Sequence, residues 1–76
     1  MTPTLDSLPP GRGARLVRLG GERAFRRRLM ELGLLPGTAV KVVRRADMGG
    51  VLELEVRGCR VTVRSRDARA LEVVLD

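Results

Sequence analysis

Arg26-Arg27-Arg28-Leu29-Met30-Glu31-Leu32-Gly33-Leu34-Leu35-Pro36-Gly37 reads as the end of a short helix, a glycine stop and a turn that feeds directly into a strand. Gly33 follows the last apolar residue of the helical pattern, at the C′ position where a left-handed backbone costs a glycine nothing. Pro36-Gly37 fits the two central positions of a type II turn, proline presetting φ and glycine supplying φ > 0. A helix is therefore held on β structure with almost no slack, and the same stretch crowds arginines onto that helix.

Upstream, Glu22 to Leu32 reads as the helix, with Phe25, Leu29 and Leu32 on one face and Gly20-Gly21 as the break before it. Arg23, Arg26 and Arg27 then point away from that face, and Arg28 lies at its edge. Ala14 to Leu19 reads as a first strand. Residues 1 to 13 hold Pro3, Pro9, Pro10, Gly11 and Gly13, so little regular structure is expected there, although Leu5 and Leu8 are placed to tack the segment to a core.

Downstream, Val40 to Arg45 and Val51 to Val56 read as strands around a loop, Ala46-Asp47-Met48-Gly49-Gly50. Pairing Val40 with Val56 and Val42 with Leu54 aligns apolar residues and sets Lys41 opposite Glu55. Gly58-Cys59 has the Gly-first chemistry of a type II′ hairpin. That turn predicts Val56 opposite Val61, Leu54 opposite Val63, and Glu53 opposite Arg64 on the outer face. A one-residue slip in either hairpin would turn valines and leucines to water. A polar link, Ser65 to Arg69, leads to a last strand in which Leu71, Val73 and Leu75 alternate. The sum is a mostly β chain, one domain over residues 1–76. It has five short strands and one short helix inserted after the first strand, and rolling such a sheet up removes most of its edges. A small five-stranded SH3-like barrel is the expected fold. An OB-fold is the nearest competitor, but its helix normally falls later in the strand order.

Composition narrows the chemistry. The 76 residues contain no histidine and one cysteine, Cys59. A Ser-His-Asp or Cys-His mechanism and a His/Cys metal cluster are thereby excluded, as is a disulfide within the chain. No carboxylates stand at ligand-loop spacing, so no metal site, cofactor or catalytic residue is assigned. The start lacks a charged segment followed by an apolar one, and an unpaired thiol suits a reducing compartment, so a cytoplasmic location is expected. The net charge of +6 comes almost wholly from arginine, with Lys41 the only lysine. Such charge suits a phosphate, a nucleic acid or an acidic protein, and an arginine-rich codon usage yields the same skew. Phe25 is the only aromatic residue, too little for the stacking platform of a single-strand binder or for a PxxP groove.

With these elements placed, the chain resembles the FeoA-type family of bacterial ferrous iron uptake, over nearly its whole length from Leu5 to Val73. The lead-in is Leu5-x-x-Leu8, Gly11 and Ala14-x-Leu16. The centre is Arg28-Leu29-x-Glu31-Leu32-Gly33-Leu34-x-Pro36-Gly37-x-x-Val40, the most specific part. The tail is Gly58-x-x-Val61-x-Val63-Arg64, closed by Ala68-x-x-Leu71-x-Val73. One departure is Gly49-Gly50-Val51, where relatives often place a proline after glycine. The resemblance implies a cytosolic SH3-like barrel that assists a membrane ferrous iron permease, FeoB, which carries a cytoplasmic GTPase domain. No nucleic acid partner is expected, and the barrel's exposed edge strands and spare thiol leave a homo-oligomer open. Two other classes stand beside it: a free-standing relative of the SH3-like C-terminal domain of iron-dependent repressors, and a basic nucleic-acid-associated barrel.

Within that reading the partner surface is expected at Arg23, Arg26, Arg27, Arg28 and Leu35. Cations in the first half of a helix oppose its dipole, so local stability alone does not choose the four arginines. Leu29, Leu32, Leu34 and Leu35 read first as core, with Leu35 the exception, because successive leucines in a turn do not all face inward. Gly33, Pro36 and Gly37 read as structural turn residues, Glu31 as a solvated residue or a partner of Arg27 one turn earlier, and Cys59 as a thiol near a hairpin tip with no task.

Overall fold

A computed structural model describes residues 3–46 and 50–76. Alternating apolar residues build five strands: β1 (Gly13–Leu19), β2 (Ala39–Ala46), β3 (Val51–Val56), β4 (Cys59–Arg64) and β5 (Leu71–Leu75). The helix α1 (Arg23–Glu31) lies between β1 and β2, as the spacing of Phe25 and Leu29 requires. All pairings are antiparallel, in the order β4-β3-β2-β1-β5. The molecular extents, 28 × 27 × 26 Å, are nearly equal, so the sheet is rolled into an SH3-like barrel and not laid flat. Among the described residues the buried hydrophobic side chains are all aliphatic. Leu16, Leu29, Leu34, Val42, Leu52, Leu54, Leu71 and Val73 are each at most 1% exposed.

Two bulges bend the long strands. In β1 the pairing with β5 skips at Val17, and in β2 the pairing with β3 passes from Val42–Leu54 to Arg44–Glu53, skipping Val43. An unpaired residue raises the local twist, which a small barrel needs at its corners. The expected pairs Lys41–Glu55 and Val42–Leu54 stand on the straight side of the β2 bulge. Of the loop that joins these strands, residues 47–49 lie outside the described residues.

The next hairpin differs from expectation. Val56 opposes Cys59, so the two-residue turn is Arg57-Gly58 and not Gly58-Cys59. Both central residues have positive φ, 52° at Arg57 and 80° at Gly58, which is type I′ geometry and matches the twist of the strands. Leu54 therefore faces Val61 and Leu52 faces Val63, two residues away from the expected register. Since a shift of two conserves the faces, the same valines and leucines still point inward. Glu53 sits opposite Thr62, not Arg64, and lies 3.5 Å from Arg44 and 3.4 Å from Arg60.

The segment from Ser65 forms one helical turn, α2 (Ser65–Ala68), where a plain polar link was expected. It buries Ala68 completely. Leu75, expected on the inner face of the last strand, is 47% exposed at the strand's end. Near the start, a 3-10 turn (Leu5–Ser7) places Leu5 and Leu8 in the core. Here the Val73 N–H donates to the Pro3 carbonyl at 2.9 Å, covering the outer edge of β5. Arg45 donates to the carbonyls of Asp6 and Leu8 at 2.5 and 2.8 Å, clamping the segment to β2.

Gly33 has φ +95°, and a Cβ built there meets nothing within 4 Å. Its requirement for glycine is therefore conformational and not steric. Gly33→Val is expected to cost about 1–3 kcal/mol in urea unfolding, with Gly33→Asn recovering part of the loss; an unchanged midpoint for Gly33→Val would contradict this. At the β3–β4 turn, where Arg57 holds a left-handed backbone, Arg57→Asn is expected to stabilise by about 0.5–1 kcal/mol in the same assay.

Candidate functional site: the basic face of α1 and its exit turn

The α1 face that looks away from the core is basic because the sequence alternates arginines with its apolar residues. Arg23, Arg27 and Arg28 are exposed, and Arg26 is half-buried. Arg27 Nε lies 3.7 Å from Glu31 Oε1, four residues on, both groups being open to water. Such a pair holds little energy. The first turn of α1 contains no acidic residue, and Glu22 at the N-cap makes no side-chain capping bond. The helix therefore carries cations at the positive end of its dipole, with Glu22 at the N-cap the one local carboxylate to offset them.

Arg23, Arg27 and Arg28 are brought together with Ala24 and Glu31 around a shallow groove of about 500 Å³. Arg26 does not line it, and neither does Leu35, which lies beyond the other end of the helix. There the leucines divide in two. Leu29 and Leu34 are fully buried, whereas Leu35 is 41% exposed and Leu32 is 52% exposed. Leu32 was expected inward with Phe25 and Leu29. It is the last residue before the chain reverses at Gly33, and Leu34, whose N–H donates to the Leu29 carbonyl at 2.9 Å, takes an interior place. Met30, also exposed, adds to the apolar residues at this end of the helix.

The exit turn itself is tied down. The Thr38 N–H donates to the Leu35 carbonyl at 2.9 Å, with Gly37 at φ +92° between them. Thr38 is the one buried polar side chain among the described residues. Its hydroxyl accepts from the Leu35 N–H at 3.2 Å and donates to the Gly33 carbonyl at 3.4 Å. Leu35 is thus displayed on a rigid turn.

Helical spacing in the sequence placed the arginines of α1 away from the Phe25–Leu29 stripe, and there the structure has them. Met30 and Leu32 were missed, although Met30 lies off the Phe25–Leu29 stripe and carried a signal. Arg28 also borders a second, larger cleft, across which stand Arg64 and Arg66. Nothing in their local sequence marks these two, because only the corner between β4 and α2 brings them near the helix. Among the described residues no three His, Cys, Asp or Glu side chains gather as a metal site, and no helix is long and apolar enough to cross a membrane. The surface offers directed positive charge beside exposed aliphatic groups, a chemistry of recognition.

Comparison with known proteins agrees with the fold in detail. Residues 4–75 match the FeoA domain. The chain is 32% identical over 71 residues to an Fe(2+) transport protein A/Fe(2+) transporter FeoB fusion protein of Porphyromonas gingivalis, covering 93% of this chain and 8% of that protein. The solution structure of a FeoA protein from Chlorobium tepidum superposes with a TM-score of 0.91 at 36% identity, over 96% of this chain and 70% of that one. A manganese-dependent transcriptional repressor superposes equally well, with a TM-score of 0.91 over 99% of this chain and 37% of the repressor. At 19% identity that likeness concerns the fold alone. With nearly every described residue inside the match, the chain belongs to the FeoA family.

Proposed function

We propose that this protein is an accessory factor of ferrous iron uptake that binds the membrane ferrous iron permease, FeoB, on its cytoplasmic GTPase domain. The observation that carries the proposal is the fusion relative, in which transport protein A and the transporter FeoB share one polypeptide. Fusion of two modules raises their effective concentration and favours weak contacts between them. The surface described above suits such a contact. Arg23, Arg27 and Arg28 supply long-range attraction, while Leu32 and Leu35 supply apolar area at the end of the same helix. The half-buried Arg26 supports this face from its edge. On this reading the protein works by binding and not by catalysis, ferrous iron is the transporter's cargo, and the site of action is the cytoplasm.

The test is a calorimetric titration against the cytoplasmic domain of the permease, with and without guanine nucleotide. Saturable binding is expected, weakened by Arg23→Glu with Arg27→Glu in a manner that depends on salt. Leu32→Ala with Leu35→Ala is expected to weaken it with little salt dependence. Both pairs are exposed, so unfolding free energies should stay within about 0.5 kcal/mol of the parent. Absence of binding to the domain and to the detergent-solubilised permease alike would overturn the proposal.

A further inference from the structure

Between the start of α1 and the corner joining β4 to α2 lies an open cleft of about 830 Å³. One wall is α1, with Phe25 and Arg28. The other is Arg64 at the end of β4 with Arg66 and Asp67 in α2. Its floor depends on close approach of two chain segments. The Gly20 N–H donates to the Ala70 carbonyl at 2.7 Å, and a Cβ at Gly20 would stand 2.9 Å from that oxygen. A Cβ at Gly21 would stand 3.2 Å from the Phe25 ring and 3.5 Å from the Ala70 methyl. Two residues without side chains thus let a ring and a methyl group form an apolar base beneath charged walls.

The cleft is not isolated. It shares Arg28 and Ala24 with the shallow groove of α1. It shares Arg64 and Arg66 with a third hollow that continues past Ser65 and Arg69 to Gly50 and Val51. Three depressions that share lining residues lie in series as a track, bordered by Arg23, Arg27, Arg28, Arg64, Arg66 and Arg69. Arg15, Arg18, Arg44 and Arg60 elsewhere on the surface, and Arg27 and Arg69 toward the two ends of the track, each lie within 3.9 Å of a carboxylate. Arg28, Arg64 and Arg66, at the centre of the track, have no such neighbour among the described residues.

We infer that this track docks an extended acidic peptide segment of a protein partner. Continuity favours a chain over a single anion, because charge is spread along a path and not focused on one point. The apolar base formed by Phe25 and Ala70 takes an aliphatic side chain set between carboxylates. Glu22 and Asp67 on the walls, and Glu31 toward one end, interrupt the positive charge, which favours a segment whose carboxylates are spaced by aliphatic residues over an unbroken polyanion. Phe25, the one aromatic residue of the chain, is too little for a platform of stacked bases. The inference deepens the reading that this protein binds a protein partner, and it identifies the chemistry of the segment recognised.

The test uses a short fluorescent peptide repeating Asp-Glu-Leu, an Asn-Gln-Leu control and a fluorescent oligothymidine, each titrated by anisotropy, with the permease domain titrated in parallel. The acidic peptide is expected to bind at low salt and the control peptide not. Arg64→Gln with Arg66→Gln is expected to weaken the acidic peptide about tenfold. Arg44→Gln with Arg60→Gln removes the same charge off the track and is expected to leave binding unchanged. Equal loss in the two double variants would mean that net charge alone is sensed and would overturn the inference, as would tighter binding of oligothymidine. A permease that fails to bind, while the peptide binds through Arg64 and Arg66, supports the track and removes FeoB as its partner. A permease that binds while the acidic peptide does not overturns the track and leaves FeoB in place.

Discussion

Two hydrogen bonds hold the exit of α1 to the first strand: the Gly37 N–H donates to the Leu16 carbonyl at 2.6 Å, and the Leu16 N–H donates to the Thr38 carbonyl at 2.9 Å. Leu16 is in the core and Thr38 is buried, so the bond between them joins two buried residues, while Gly37 ties the exposed turn to the same strand. Everything specific to this barrel depends on that stitch. It starts β2 beside β1, and it fixes where the helix ends over the sheet. Whether Leu34 or Leu32 goes inside is settled there, as is the direction in which the arginines of α1 look. The Thr38 hydroxyl, shared between Leu35 and Gly33, keeps the intervening turn from relaxing.

Much of this was legible in the sequence because period-two and helical patterns report which face of an element is buried. The strands, the helix and the face assignments of Val42, Leu54, Val61 and Val63 all follow from that one signal. The same signal is blind to any rearrangement that conserves faces. The β3–β4 hairpin slid by two residues without turning a single valine outward, so only turn chemistry could have settled it. There Arg57 concealed a type I′ turn, because asparagine or aspartate is the usual residue before glycine. Bulges at Val17 and Val43 are likewise unmarked by hydrophobicity. Leu32 was misplaced because a helical wheel assumes that the helix continues, whereas the chain reverses at Gly33. Arg64 and Arg66 became part of a basic surface only through tertiary approach, which no local pattern records.

Arginine in this chain has two distinct uses. Arg18 and Arg44 sit against carboxylates on neighbouring strands, and Arg45 clamps the carbonyls of the leading segment. These groups are engaged within the fold. The arginines of α1 and of the β4–α2 corner face outward over hollows. A chain of this size has little apolar surface to spare for binding once its core is built. Charge projected from a rigid helix, completed by a few exposed leucines, is an economical means of recognition under that constraint.

The protein has a single aromatic ring, and the fold stands it in the wall of a cleft beside Gly21 and Ala70. Every other core side chain is aliphatic, so the ring current of Phe25 is the only one in the molecule. In a proton spectrum its ring-current shift falls on the groups that line the cleft around it, Gly21 among them. Those resonances become a built-in sensor: a ligand or partner that tilts the ring moves them.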